Sequence, residues 1–461
     1  MKQLTLLAAG LCLLASTVYG QQQPWVSAYY AGWMQSYLPP SAIDYGAVTH
    51  IMHFSIYPSG GAGVGWTDNG ITSGASTAII QAAHAAGKKV IVTCGGWGEA
   101  EGFVTATNAT NRAAFITNLV TFVVNRGYDG LDIDWEPITS SSQFRLFIPE
   151  LRAALDAAKP GLLLTIAAMD GDAADIAAVQ GSFDQINIMT YDMSGAWQGW
   201  VVWHNAPVYD GGLKFPGTNR VVPSADGDVN AYIAAGIAKG KIGIGADFYG
   251  YVWSGVTTPR QTWSSTPSVN DNVAYYTLMN TYAANPILWD TVAQAAYISV
   301  TTGGGKFISL DDERTMAAKA AYVRNKGIGG MIIWELGGGY RASAPAGQRD
   351  DLLQAVKQAF FSQPTDTPEA TAPVTEYRLE QNYPNPFNPD TQIRFHLARQ
   401  GTVTLKVFDL LGREVARLAS GEYARGSHAV RFDASALATG VYVSRLETEV
   451  QVFTIMMTLL R

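Results

Sequence analysis

The segment Asp129-Gly-Leu-Asp132-Ile-Asp134-Trp-Glu136 places three acids, Asp132, Asp134 and Glu136, two positions apart inside an apolar run. Side chains on an extended strand alternate faces. The three acids therefore share one face, and Leu131, Ile133 and Trp135 share the other. Steps of two residues at ~3.3 Å each set neighbouring carboxyl groups roughly 6–7 Å apart. Three carboxylates this close in an apolar setting repel if all are ionised, so protons are shared and at least one pKa rises. A row that ends in a protonated acid suits the cleavage of a glycosidic bond, where the departing oxygen must receive a proton. The competing readings are a solvated acidic edge and a divalent-metal site. The chain has only six His, none at a metal-ligand spacing such as His-Glu-x-x-His. Neither a metal nor a cofactor is expected.

A row of this kind needs a rigid strand at the mouth of a fold. From residue 25 to about 361, short apolar runs alternate with Ala-rich amphipathic stretches, the rhythm of βα units. Candidate strands are 25–30, 48–56, 89–94, 130–135, 162–168, 185–190, 241–246 and 329–334, with candidate helices at 76–86, 112–126, 143–159 and 316–325. Eight strands in one such stretch predict an α/β fold, a (β/α)8 TIM barrel spanning 24–361. The fourth strand would then turn its acids inward and its apolar face towards the helices. Residues 251–307, rich in Thr, Ser, Asn and aromatics, read as a short insertion between the seventh strand and its helix. A Pro/Thr linker follows at 362–376. Beyond 377 the pattern changes to short alternating strands at 391–396, 402–409, 427–433 and 440–447, a small Ig-like antiparallel β-sandwich.

Composition narrows the function classes. With 48% hydrophobic and 15% charged residues, the 461-residue chain has ample apolar material for a large core. A net charge of −7 excludes the basic footprint of a nucleic-acid binder. The chain has 12 Trp and 22 Tyr, a profile that suits sugar binding, and every Trp lies between Trp25 and Trp334. Residues 1–20 read as a secretory signal peptide, with Lys2, an apolar stretch and a small-residue site ending at Gly20. Cys12 would leave with it, so Cys94 would remain alone, an inert buried thiol without a disulfide partner. No later apolar run reaches the ~20 residues of a membrane span. The expectation is a secreted, monomeric protein without a transmembrane segment.

Taken together, these segments resemble glycoside hydrolase family 18, the chitinases and their relatives. The acidic row resembles the family's Asp-x-x-Asp-x-Asp-x-Glu signature, and Thr93-Cys94-Gly95-Gly96-Trp97 its Ser-x-Gly-Gly motif, with Thr93 in place of serine. Met189-Thr-Tyr191-Asp192 resembles its Met-x-Tyr-Asp motif. Trp334 ends the last strand where the family places the tryptophan floor of its sugar pocket, and Tyr29 sits at its first-strand tyrosine. The resemblance covers about 24–361. It implies that Glu136 is the general acid and then the base for water, and that the substrate's own N-acetyl carbonyl is the nucleophile, with retained stereochemistry. Asp134 would orient the acetamide, Asp132 would hold and recharge Asp134, and Tyr191 would hydrogen-bond the acetamide oxygen. Trp334, Trp97, Tyr29, Met189, Asp192 and Tyr249 would bind substrate. Trp97 and Trp334 otherwise read as ordinary packing residues, and Trp197, Trp200, Trp203 and His204 read equally as cleft or loop packing. Asp247-Phe-Tyr249-Gly-Tyr251 departs from the family's Pro-Phe-Tyr-Gly-Arg, which puts contacts from this region in doubt. The insertion looks short for the compact α+β insert of many processive members, which favours an open, endo-acting cleft.

The implied substrate is chitin or chitooligosaccharide. The alternatives are an endo-β-N-acetylglucosaminidase acting on N-glycans and a non-catalytic chitin-binding lectin; loss of the acid at 136 would favour the lectin, and Glu136 is present. Beyond 377, Leu379-Glu-Gln-Asn-Tyr-Pro-Asn-Pro-Phe-Asn-Pro, Val407-Phe-Asp-Leu-Leu-Gly-Arg-Glu-Val and Leu437-Ala-Thr-Gly-Val-Tyr resemble the C-terminal sorting domain of the type IX secretion system. The rival reading, a carbohydrate-binding sandwich, lacks tryptophan platforms. The resemblance implies export machinery as a partner and an extracellular location, with transient attachment to the cell surface.

Overall fold

A computed structural model describes residues 23–345, 347–362, 377–382 and 385–460. The signal-peptide reading of 1–20 and all but the edge of the linker reading of 362–376 lie outside them. The chain divides into two units after Phe361.

In the first unit, eight parallel strands alternate with helices: β1 Trp25–Ala31, β2 His50–Ser59, β3 Lys89–Gly95, β4 Gly130–Asp134, β5 Leu163–Ala168, β6 Gln185–Ile188, β7 Ile242–Asp247 and β8 Gly330–Trp334. Each pairs with the next, and β8 returns to β1, closing a (β/α)8 barrel. The runs are too apolar on both faces for a half-exposed sheet, which is what a strand wedged between a barrel interior and a helical shell requires. The helices Ser73–Ala85, Arg112–Arg126, Ser141–Ala158 and Glu313–Lys326 fall between the strands. The second of them stops at Gly127, whose φ of 80° takes the left-handed turn that ends a helix without a Cβ penalty.

On β4 the alternation separates two environments. Leu131, Ile133 and Trp135 join the main apolar core between strands and helices. Asp132 and Asp134 point into the barrel, both buried. Trp135 stacks on Phe103 with ring centroids 4.9 Å apart and meets Phe144 edge-on at 6.0 Å. We expect Trp135→Ala to cost about 3–5 kcal/mol in chemical denaturation; a loss under about 1 kcal/mol would mean that this anchor does not hold the acidic strand against its helices.

The segment expected as a short insertion at 251–307 is an ordered α+β unit with wider limits. Tyr249–Ser254 pairs on one side with Ser268–Ala274 and on the other with Lys306–Leu310, and Ala295–Val300 and Ile287–Asp290 complete a five-stranded antiparallel sheet. A helix, Tyr275–Tyr282, lies within it. The expectation that this insertion is too short for a compact α+β unit is corrected here: such a unit is present, from Tyr249 to Leu310. Its strands are brief, and Ser268–Ala274 is mostly exposed and bulged, so the two-residue alternation that marks a strand is lost.

The second unit contains two antiparallel sheets. Arg378–Leu379, Asp390–Leu397 and Gly426–Asp433 form one; Glu414–Tyr423, Gly401–Asp409, Gly440–Thr448 and Val452–Leu459 form the other. Their shared core includes Ile393, Phe395, Leu405, Val407 and Leu446. Among the described residues no helix is long and apolar enough to cross a membrane.

Candidate active site

Parallel register decides the surroundings of Asp132. Thr93 on β3 and Thr165 on β5 lie directly beside it. Thr165 Oγ1 donates to Asp132 Oδ1 at 2.5 Å, Thr93 Oγ1 to Oδ2 at 3.2 Å, and the Tyr29 hydroxyl, from β1, to Oδ2 at 3.0 Å. The carboxyl is thus enclosed by three neutral donors. Burial pushes its pKa up to about 6, with the three hydroxyls pulling in the opposite direction.

Asp134 is also enclosed. Burial, then the adjacent Glu136 charge, raises its pKa well above the carboxylate range, and the two carboxyl groups lie within hydrogen-bond reach of each other. Asp134 Oδ1 is buried and receives no hydrogen bond from the described donors. Such an oxygen is stable when the pair holds a proton between its members. Glu136, half-buried at the mouth, is raised by burial and further by Asp192 and Asp172, while its bond with Asp134 acts the other way. Gly95 and Gly96 let the β3 turn approach this strand. A Cβ on Gly95 would lie 2.0 Å from the Asp134 carbonyl oxygen, and Gly96 N–H donates to that oxygen at 2.9 Å.

The loop after β6 completes the arrangement. The Tyr191 ring is buried against Gly245, where a Cβ would come within 2.6 Å of it. Burial, with Asp134, Asp192 and Glu136 nearby, keeps its phenol protonated and therefore a donor. Asp192 has a left-handed φ of 58°, and its Oδ1 receives the Tyr249 hydroxyl at 2.5 Å and the Tyr251 hydroxyl at 2.9 Å. Met189 packs half-buried against the same apolar lining. Trp334 lies edge-on to Phe54 at 4.7 Å and tilted over Tyr29 at 5.4 Å. Trp334 and Tyr249, with Trp33, Phe248, Asn272 and Glu335, line a cavity of about 280 Å³. This cavity adjoins the acids without including them.

Tyr29, Asp132, Asp134, Glu136, Tyr191, Asp192, Tyr249 and Trp334 thus converge at the C-terminal end of the barrel strands, the face on which such barrels build sites. Trp97 stands apart, 79% exposed in the loop after β3. Trp203 and His204 are fully buried and serve packing: Trp203 donates to the Pro223 carbonyl and His204 pairs with Asp290. Trp200 stacks on Phe215, and only Trp197, 50% exposed, faces solvent. Asp129, the first acid of the signature, is outside the site, binding His84 Nε2 at 2.7 Å and the Val90 N–H at 2.8 Å. Cys94 is buried, and burial pushes its thiol up, away from thiolate chemistry.

Several participants were not singled out from the sequence. Trp33, 52% exposed, follows β1 and Asp172 follows β5, both in the loops that carry function in a barrel. That position was their available signal. Thr165 and Glu335 carried none, because their roles come from cross-strand register and from a cavity wall.

Comparison with known proteins gives two family matches. The model described as "Glycosyl hydrolases family 18" matches residues 26–339, and "Secretion system C-terminal sorting domain" matches residues 381–457. The chain is 33% identical over 295 residues to "Chitinase A1" of Niallia circulans, covering 54% of this chain and 40% of that protein. It is 30% identical over 276 residues to "Probable endochitinase" of Caenorhabditis elegans, covering 54% and 43%. The chain therefore spans less than half the length of either relative. Its fold is similar to a family 18 N-acetylglucosaminidase from Paenibacillus barengoltzii (TM-score 0.61, 25% identity, 73% of this chain and 99% of that one). It is also similar to the Ostrinia furnacalis Group IV chitinase in complex with allosamidin (TM-score 0.60, 22% identity, 73% and 98%).

Proposed function

Because the chain belongs to glycosyl hydrolase family 18, we propose that its barrel is a chitinase. It hydrolyses β-1,4-linked N-acetylglucosamine polymers with retention, using the substrate's own acetamide as nucleophile. The feature that supports this most is the close approach of the Asp134 and Glu136 carboxyls. A protein nucleophile and its acid stand about 5–5.5 Å apart, and an inverting pair about 6.5–9.5 Å, to leave room for the sugar or for water. Carboxyls that approach this closely suit neither spacing, which fits attack by the substrate's own acetamide.

The chemistry then follows from the residues. The sugar ring lies over Trp334, and its acetamide enters between Asp134 and Tyr191. Asp134 accepts the acetamide N–H, and the Tyr191 hydroxyl donates to the acetamide oxygen, holding it below the anomeric carbon. As that oxygen bonds to the carbon, the glycosidic bond breaks and Glu136 delivers its proton to the departing oxygen. The cationic oxazolinium that results is stabilised by Asp134, whose own charge is steadied by Asp132. Glu136, now a carboxylate, takes a proton from water as the water attacks the anomeric carbon, restoring the acetamide and the acid.

Cleavage within the chain is proposed because one relative is named an endochitinase and because Trp97 and Trp197 offer exposed flat faces outside the cavity, with Trp33 at its wall. The ordered α+β insertion removes the open cleft as a ground for that reading. The sorting-domain match supports export through the type IX machinery and work outside the cell. Incubating the full chain with chitohexaose and with a high-mannose glycopeptide tests the proposal: shorter chitooligosaccharides from the first are expected. Cleavage of the glycopeptide alone would move the substrate to N-glycans, and binding without cleavage of either would make the protein a lectin.

Asp172 supplies a pH test. Its charge helps hold the proton on Glu136, so Asp172→Asn lowers the pKa of the acid and moves the alkaline limb of kcat/KM to lower pH. A pH profile on a chitooligosaccharide checks this, and a limb that stays or moves up removes Asp172 from the account.

A further inference from the structure

Asn205 is fully buried behind the loop that carries Tyr191 and Asp192, and nothing in the proposed reaction uses it. Each of its polar groups is engaged. Its Oδ1 accepts the Asp192 N–H at 3.1 Å, and its Nδ2 donates to Asp247 Oδ2 at 2.5 Å. Its backbone N–H donates to Ser309 Oγ at 2.8 Å, and its carbonyl accepts the Met193 N–H at 3.0 Å. The side-chain amide thus joins the loop after β6 to the end of β7, and the residue's backbone N–H adds the inserted strand Lys306–Leu310. The far side of the joint is anchored in turn. Lys319, buried, holds Asp311 at 2.5 Å and lies 3.7 Å from Asp247 Oδ1, and the Asp247 N–H donates to Asp311 Oδ2 at 3.3 Å.

The residue at the near end needs such an anchor. Asp192 holds a left-handed φ of 58°, a conformation that persists only where the surroundings impose it. Asn205 fixes its backbone, and the Tyr249 and Tyr251 hydroxyls fix its carboxylate. Both carboxylate donors are neutral phenols, so the charge of Asp192 is left uncompensated. The charged groups acting most strongly here are all acids. Asp134 on its own strand, Asp172 after β5 and Asp192 after β6 act on Glu136, and Asp271 from the inserted strand Ser268–Ala274 acts on Asp192.

We propose that Asn205 is a positioning residue: by locking the backbone of Asp192 to β7 and to the inserted sheet, it fixes an uncompensated carboxylate opposite Glu136. The inference rests on Glu136 being the acid of the proposed reaction. Without the lock, Asp192 relaxes out of its left-handed conformation, its carboxylate is no longer held near Glu136, and Glu136 gives up its proton more readily.

The test is the side-chain 13C titration of Glu136 in the full chain, assigned by its disappearance in Glu136→Gln. Asp192→Asn and Asn205→Ala should each lower the Glu136 midpoint by on the order of half to one pH unit. The double variant should go no lower than Asp192→Asn, because both act through one charge. A merely structural Asn205 would lower thermal stability and leave the midpoint in place. The proposal is overturned if Asn205→Ala titrates like the parent, or if the two shifts add in full. Should the alanine variant fail to fold, Asn205→Ser removes the amide bridge while keeping a polar side chain, with the same expected shift. Hydrolysis measured in parallel keeps the two claims apart: an inactive parent refutes the proposed function, and the titration still decides the role of Asn205.

Discussion

Glu136→Gln is expected to lower kcat on chitooligosaccharides by on the order of 10²–10⁴-fold, the usual worth of a positioned general acid, while substrate binding stays within a few-fold. The amide has nearly the shape of the acid and fills the same half-buried place at the barrel mouth. It cannot deliver a proton to the departing oxygen or take one from water, so both chemical steps suffer and the stacking and hydrogen-bonding contacts do not. Steady-state rates with tryptophan-fluorescence binding separate the two effects. Trp334 packs beside the site and provides the signal. A variant that turns over near the parent rate would remove Glu136 from its role.

Asp134→Asn should cost on the order of 10²–10³-fold in kcat, comparable to losing one preorganised electrostatic contact to the transition state. In the proposed reaction, the buried Asp134 carboxyl is an anion beside the cation that forms. An amide offers no anion there. Its NH2 would also face the acetamide N–H, donor against donor. The loss should appear in kcat more than in KM, because the charge it balances exists only after the glycosidic bond begins to break. An equal loss in KM with kcat unchanged would mean that Asp134 serves binding alone.

The barrel was legible because its eight strands are short apolar runs separated by amphipathic helices, a periodicity that survives in the sequence whatever the loops do. The helix Arg112–Arg126 was readable to the residue, since Gly127 marks its end. The insertion was located at 251–307, but its sheet was not legible, for its exposed, bulged strand breaks alternation. Within the site, Asp132 and Asp134 lie on one face because they are two residues apart on a strand, and the sequence says so directly. The ring of Tyr29, Thr93 and Thr165 around Asp132 depends on register between strands over 30 residues apart. Asn205 was invisible for the same reason: a buried asparagine in a loop is indistinguishable from a turn residue until its four partners are in place.

The central claim is that the substrate's acetamide, and no side chain, attacks the anomeric carbon. Its most direct test is the rate of cleavage of aryl chitobiosides whose cleaved unit bears N-acetyl, N-fluoroacetyl, N-difluoroacetyl or N-trifluoroacetyl groups. Each fluorine withdraws electrons from the amide oxygen and weakens it as a nucleophile. The account predicts that kcat/KM falls stepwise along the series. A rate that is indifferent to fluorine would contradict it and return the role of nucleophile to the protein or to water.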